Sequence, residues 1–192
     1  LLGVFAGNWL VGATESLTLV GLVVGVTLTL LTVVSGAAFL QLKAPNRLPD
    51  AVMTYGTAAT VGYLLAVVVT LGVLAVRLPD GVSALLSPAI GALVVATIGL
   101  AAAYVAALRR ERSLEALGVA AAMTYGLIAL VAILMYPAID PATGATVRET
   151  IVSTLPLNLM TIGASLLLPL VAVYFVVLYS AFSGPVSPEE AY

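Results

Sequence analysis

Charged residues divide the chain into long uncharged runs. The runs cover residues 16–42, 51–76, 81–108, 116–139 and 150–188. Each exceeds the roughly 20 residues that an α-helix needs to cross about 30 Å of hydrocarbon. Their apolar positions are continuous rather than alternating, so the pattern favours transmembrane helices over membrane-spanning strands. We therefore predict an all-α, polytopic membrane protein, a bundle of about five transmembrane helices.

The predicted five-helix domain extends from residue 17 to residue 182. Its helices are placed near 17–42, 52–76, 84–108, 115–136 and 157–182. Residues 1–16 begin with an apolar stretch and without methionine. We interpret them as an outer segment that follows an upstream helix, and not as a signal peptide, because no positive region precedes the apolar stretch. Residues 183–192 are predicted to form a cytoplasmic tail.

Basic residues fall mainly on one side of the predicted bundle. One set of loops, 43–50 and 109–115, carries Lys43, Arg47, Arg109, Arg110 and Arg112, and the other set carries only Arg77 and Arg148. The positive-inside rule predicts that the first set and the C-terminus are cytoplasmic. The outward segments are then 1–16, 77–83 and 138–150. Aromatic residues near the predicted helix ends are typical of an interfacial belt; they are Tyr55, Tyr104, Tyr136, Tyr179 and Phe182.

Composition excludes several classes of function. Hydrophobic residues make up 62% of the 192 residues and charged residues 8%, against about 25% charged in soluble domains, so a soluble enzyme is excluded. A net charge of −2 gives no electrostatic basis for nucleic-acid binding. The sequence contains no cysteine and no histidine, which removes thiolate chemistry and the commonest haem ligand. We expect no catalytic centre and no metal site on this chain.

A few polar and small residues allow two interpretations. Glu15 could be a buried proton-relay carboxylate, but its neighbours Gly12, Thr14 and Ser16 favour a solvated outer loop. The segment from Gly36 to Lys43 predicts tight helix packing followed by a lysine that extends to the headgroups. The GxxxG spacing of residues 21–25 indicates close helix contact.

The remaining candidates have plain structural interpretations. We interpret the methionines as apolar filling rather than haem ligands, because no histidine accompanies them; they are Met53, Met123, Met135 and Met160. Pro137 is predicted to close the fourth helix, and Pro156 and Pro169 to flank and interrupt the fifth. Asn158 is interpreted as an interfacial polar residue.

Four stretches form an ordered set of landmarks. They are GVFAGNWLVG at 3–12, SGAAFLQLKAPNRLPD at 35–50, LVAILMYPAIDPATG at 130–144 and PLNLMTIGASLLLPLVAVYFVVLYSAFSG at 156–184. Together they resemble subunit II of the bd-type quinol oxidases, the family that includes the cyanide-insensitive oxidases. The landmarks span nearly the whole chain and correspond to the C-terminal half of that subunit. Ala44 stands where the family usually has threonine, and the family's tryptophan-rich motif has no counterpart here.

The resemblance implies a haem-free subunit that stabilises a haem-bearing subunit I. Haems b and d and the quinol site are then expected in that partner, which oxidises quinol and reduces dioxygen to water in the respiratory chain. The implied location is the prokaryotic plasma membrane. A structural quinone and membrane lipid are further partners that the resemblance implies for subunit II.

Two other hypotheses remain open at this point. A small membrane transporter or channel-type protein unrelated to respiration is suggested by the prolines and by the polar Thr27, Thr29 and Thr32 in the first helix. A passive assembly factor is the other. The first predicts solute flux from the isolated chain. The second predicts the haem spectrum of an oxidase only when the partner is present, and haem retention in the partner after removal of the chain would separate it from an oxidase subunit.

Overall fold

The computed structural model describes residues 1–43, 49–78, 81–151 and 153–181. Its helices are α1 (Leu2–Leu10), α2 (Leu19–Lys43), α3 (Pro49–Arg77), α4 (Gly81–Leu85), α5 (Pro88–Arg109), α6 (Ser113–Met135) and α7 (Thr154–Ala181), and its strands are β1 (Ala138–Asp140) and β2 (Ala145–Thr146). Five described helices, α2, α3, α5, α6 and α7, are long and apolar enough to cross a membrane. The predicted all-α polytopic architecture is confirmed.

The start of the third spanning helix differs from the prediction. The uncharged run suggested a helix from residue 84, but the chain forms the short α4 and then begins α5 at Pro88. The Ser87 side chain accepts a hydrogen bond from the Ile90 backbone N–H at 3.4 Å and caps α5. Proline suits the first helical position because its missing N–H would have no helical acceptor there. Capping by Ser87 therefore sets the break between α4 and α5. The spacing of charged residues along the chain contains no information about this cap.

The first compact unit comprises Leu1–Thr146. Helix α2 lies at its centre and packs against α1, α3 and α6, while α5 packs against α6 and α3. The main core includes two tyrosines, Tyr63 and Tyr104, which are almost completely buried. Small residues on the facing helices, among them Ala38, Ala116 and Ala120, leave room for these large rings. Alternation of large and small side chains thus holds the bundle together.

A short antiparallel hairpin follows α6 within this unit. Helix α6 ends at Met135, which confirms the predicted closure before Pro137. Strands β1 and β2 then pair through a turn in which Gly144 has a φ of +72°. Asp140 accepts hydrogen bonds from the Ala142 backbone N–H at 3.1 Å and from the Thr143 hydroxyl at 2.8 Å. Its carboxylate therefore stabilises its own turn.

The second compact unit comprises Val147–Tyr192 and contains α7. Pro169 lies inside this helix, and α7 continues past it to Ala181, so the expectation that Pro169 interrupts the helix is wrong. The hydroxyls of Thr161 and Ser165 donate to carbonyls four residues earlier, at 2.8 and 2.7 Å. These local bonds satisfy the polar side chains without a second helix. Phe182 and the predicted tail 183–192 lie outside the described residues.

Candidate functional site

A polar junction of the first unit is built around Asn8, near the end of α1. Its side chain is 8% exposed. The amide nitrogen donates to the carbonyls of Glu15 at 3.0 Å and Ser16 at 3.1 Å, and the amide oxygen accepts from the Thr18 hydroxyl at 2.6 Å. The Thr18 oxygen in turn accepts from the Gly21 backbone N–H at 3.0 Å. One side chain thus fixes α1, the following loop and the first turn of α2.

Glycines allow α1 and α2 to approach closely enough for this junction. A Cβ atom added at Gly3 would lie 2.7 Å from the Gly25 Cα, and one added at Gly7 would lie 2.7 Å from the Gly21 Cα. Both distances are shorter than those that real Cβ atoms show. The GxxxG spacing of α2 therefore faces a second GxxxG spacing on α1, which confirms the predicted close helix contact.

Two cavities lie at this end of the bundle. The first has a volume of about 500 Å³, and its lining includes Asn8, Trp9, Glu15 and Asp140. The second has a volume of about 490 Å³, and its lining includes Glu15 and Arg77. The loop after α1, the end of α3 and the hairpin therefore share one end of the bundle, as the distribution of charge predicted.

The carboxylates at this end do not form a buried relay. Glu15 is exposed in the loop between α1 and α2, which agrees with the solvated-loop interpretation. Asp140 is engaged in its own turn. Across the described ranges, no group of three or more acidic, histidine or cysteine residues could hold a metal ion. This end of the bundle offers polar, water-accessible surface and no arrangement of an acid, a base and a nucleophile among the described residues.

Inside the bundle, α2 and α3 are joined by a threonine pair. The hydroxyl oxygens of Thr27 and Thr70 lie 3.0 Å apart, and both side chains are buried. Each hydroxyl also lies within hydrogen-bond distance of the carbonyl four residues earlier in its own helix, that of Val23 or Ala66. The pair is thus a satisfied polar contact between two spanning helices.

The opposite end of the bundle is organised by Gln41. Its amide nitrogen donates to the Leu108 carbonyl at 3.0 Å, and its backbone carbonyl accepts from the Ser113 hydroxyl at 3.5 Å. The end of α2 therefore meets the turn between α5 and α6, which confirms that these loops share one end. The amide oxygen of Gln41 is buried and has no hydrogen-bond partner within the described part of the chain.

Small residues near Gln41 divide between the core and the surface of the bundle. Ala37 and Ala38 are buried, as the predicted tight packing requires. Gly36 does not follow that prediction, because a Cβ added there would meet no atom within 4 Å. The difference arises from the helical rotation of about 100° per residue, which points neighbouring positions in different directions.

One residue of the predicted aromatic belt lies in the core instead. Tyr104 is fully buried, and its hydroxyl donates to the Val34 carbonyl at 2.6 Å. Gly56 leaves space beside that hydroxyl, because a Cβ added at Gly56 would lie 3.3 Å from it. The interfacial prediction for Tyr104 is therefore wrong, whereas Tyr55, Tyr136 and Tyr179 are exposed as predicted.

The residues present do not fit a haem. The sequence has neither histidine nor cysteine. Met123 is 1% exposed and packs in the main core, and Met53 and Met160 are 38% and 70% exposed on separate helices. Met135 packs against a second apolar cluster with Leu10 and Leu74. These positions suit apolar filling, and Met123 and Met135 of the first unit belong to different apolar clusters.

Comparison with known proteins decides the family. The sequence model of the family described as cytochrome bd terminal oxidase subunit II matches residues 1–182. The chain belongs to this family. A search of curated proteins found no match. As a member of the subunit II family, the chain is a component of a bd-type oxidase, and the membrane and respiratory-chain assignments are confirmed.

The structure of this subunit II family member gives physical roles to residues of the landmarks. The first landmark supplies Gly3, Gly7 and Asn8, which form the α1–α2 contact. The second supplies Gln41, which joins α2 to the α5–α6 turn. Sequence reasoning missed two contacts between distant residues. Thr70 contacts Thr27, 43 residues earlier, and Tyr104 contacts Val34, 70 residues earlier. A polar residue within an apolar run is the one signal that could have marked Thr70.

Proposed function

We propose that this chain is the haem-free subunit of a bd-type terminal quinol oxidase and that it supports and stabilises the haem-bearing subunit. The observation that carries the proposal is family membership in a chain that has no histidine and no cysteine. In this proposal the partner subunit holds haems b and d, oxidises quinol and reduces dioxygen to water. This chain contributes no catalytic residue.

The interior of the first unit supports a structural role. Its buried polar side chains Asn8, Thr27 and Tyr104 bond to other parts of the same unit. Such bonds fix the helices relative to one another and leave few groups available for a cofactor. A rigid, apolar helical unit is what a stabilising subunit needs to present to its partner within a membrane.

The distribution of charge supports an orientation. Five of the seven basic residues belong to the two loops at the Gln41 end, of which Arg47 lies outside the described residues. We place these loops and the C-terminus in the cytoplasm and the Asn8 end outside the prokaryotic plasma membrane. A structural quinone and membrane lipid complete the proposed set of partners.

The threonines that suggested a transporter do not support that hypothesis. Thr27 pairs with Thr70, and the hydroxyls of Thr29 and Thr32 donate to carbonyls of their own helix at 2.8 and 2.9 Å. The three threonines therefore do not converge on one polar path. In proteoliposomes, we expect the isolated chain to produce no solute flux.

Purification with native membrane partners tests the proposal. A reduced-minus-oxidised absorption spectrum of the purified complex is expected to contain the bands of b-type and d-type haem. Absence of both haems from every complex that copurifies with the chain would contradict the proposal. Removal of the chain from the cell should then lower the haem content of the partner, which separates a stabilising subunit from a bystander.

A further inference from the structure

An apolar groove lies between α2 and α3 on the surface of the bundle. Its volume is about 430 Å³, and its lining includes Val33, Gly36 and Leu40 of α2 and Val52 and Tyr55 of α3. The groove belongs to two membrane-spanning helices. It is separate from the cavities at the Asn8 end, and the contacts described above leave it unused.

The floor of the groove is open because of Gly36. A Cβ atom added there would meet no protein atom within 4 Å, so the glycine is not needed for helix contact. Glycine is also a poor helix former, about 1 kcal/mol worse than alanine in a helix interior. Gly36 therefore leaves this part of the α2 surface open without contributing to the packing of the helices.

The dimensions of the groove suit an extended hydrocarbon chain. From Val33 to Leu40, the first and last α2 residues that line the groove, the helix rises about 10 Å, a third of the roughly 30 Å hydrocarbon thickness. Spread over that length, the volume corresponds to a cross-section of about 40 Å², below that of a helix 10–12 Å in diameter. A partner helix cannot enter it, whereas an acyl chain of one leaflet can.

A positive charge, that of Lys43, lies at the end of α2, three residues beyond the last α2 residue that lines the groove. Gly36, Leu40 and Lys43 are spaced by four and three residues, so they share one face of α2. The two loops at this end, 43–50 and 109–115, carry five basic residues against three acidic ones, and the loops at the opposite end of the first unit are acidic. Lys43 has three N–H donors and can bind a phosphate in addition to another partner. The phenol of Tyr55, which is 69% exposed, lies at the same groove.

We propose that the groove binds an anionic phospholipid, with an acyl chain along Gly36 and the phosphate at Lys43. Basic residues at the ends of spanning helices attract anionic headgroups, and the apolar walls hold the chain. This site is independent of where the haems of the oxidase are bound. A zwitterionic phospholipid would lack the net negative charge that this end of the bundle favours.

Native mass spectrometry of the full chain in its purified complex tests this proposal. The complex is equilibrated with equal amounts of phosphatidylglycerol and phosphatidylcholine in detergent, and the lipid retained is counted. We expect the wild type to retain phosphatidylglycerol. Gly36→Leu places a side chain in the groove at a position where an added Cβ meets no protein atom within 4 Å, and it should abolish that retention. Lys43→Gln should lower the preference for phosphatidylglycerol by about fivefold, as expected for one basic residue near a headgroup.

The matched control is Gly72→Leu. Gly72 lies on α3, and a Cβ added there also meets nothing within 4 Å, so this variant should retain phosphatidylglycerol like the wild type. Equal retention by Gly36→Leu and the wild type, or equal retention of both lipids, would overturn the proposal. A benzophenone amino acid in place of Val33 gives a second readout: a lipid adduct supports the proposal, and a cross-link to a polypeptide contradicts it.

Discussion

The two halves of α2 use the same residue type for opposite purposes. In the N-terminal half, Gly21 and Gly25 lie against Gly7 and Gly3 of α1, where no side chain could fit. In the C-terminal half, Gly36 faces open space on the surface of the bundle. The role of a glycine in a membrane helix therefore depends on what it faces, and substitutions on the two halves of α2 measure that difference.

The largest expected effect belongs to Asn8, which lies beside the N-terminal half of α2. Asn8→Ala removes three hydrogen bonds, and at about 1 kcal/mol each we expect the free energy of unfolding to fall by about 3 kcal/mol. The measurement is equilibrium unfolding in detergent followed by circular dichroism. Asn158→Ala, at an exposed position of α7, is the control and should leave the free energy of unfolding unchanged. Equal effects of the two substitutions would contradict the role of Asn8.

The direct comparison of the two halves is Gly7→Ala against Gly36→Ala. The same methyl group is added in both variants. At Gly7 it would lie 2.7 Å from the Gly21 Cα, and overpacking of this kind lowers the free energy of unfolding by about 2 kcal/mol. At Gly36 it meets no atom, so helix propensity should raise that free energy by up to about 1 kcal/mol. If both substitutions changed the free energy of unfolding in the same direction, the contrast between the two halves of α2 would be contradicted.

The smallest expected effect belongs to the threonine pair between α2 and α3. A double-mutant cycle with Thr27→Val and Thr70→Val isolates the contact between their hydroxyls, which lie 3.0 Å apart. We expect a coupling free energy of about 0.6 kcal/mol, the average for hydrogen bonds between membrane helices. The cycle of Thr29→Val and Thr70→Val should give zero coupling, because Thr29 bonds only within α2. Equal coupling in both cycles would contradict the assignment.

The spanning helices could be predicted from the sequence because the cost of placing charge in hydrocarbon confines charged residues to the ends. The same reasoning paired the loops at each end correctly. It missed α4, because no charge separates Gly81 from α5, and the break depends on the Ser87 cap and Pro88. The hairpin was also missed, although Asp140 and Gly144 are residues typical of turns.

Side-chain placement was harder to predict than the helices. Tyr55 and Tyr104 both lie near helix ends, yet Tyr55 is 69% exposed and Tyr104 is fully buried. The difference is made by Gly56 and Val34, which lie on other helices beside Tyr104. Contacts of this kind depend on packing between distant segments, and a hydropathy pattern along one helix contains no information about them.

The distribution of haem between the separated subunits tests the central claim most directly. The oxidase complex is purified, this chain is separated from its partner in a mild detergent, and the haem content of each polypeptide is measured by absorption. We predict that all haem remains with the partner and that this chain carries none. Stoichiometric haem bound to this chain would contradict the account.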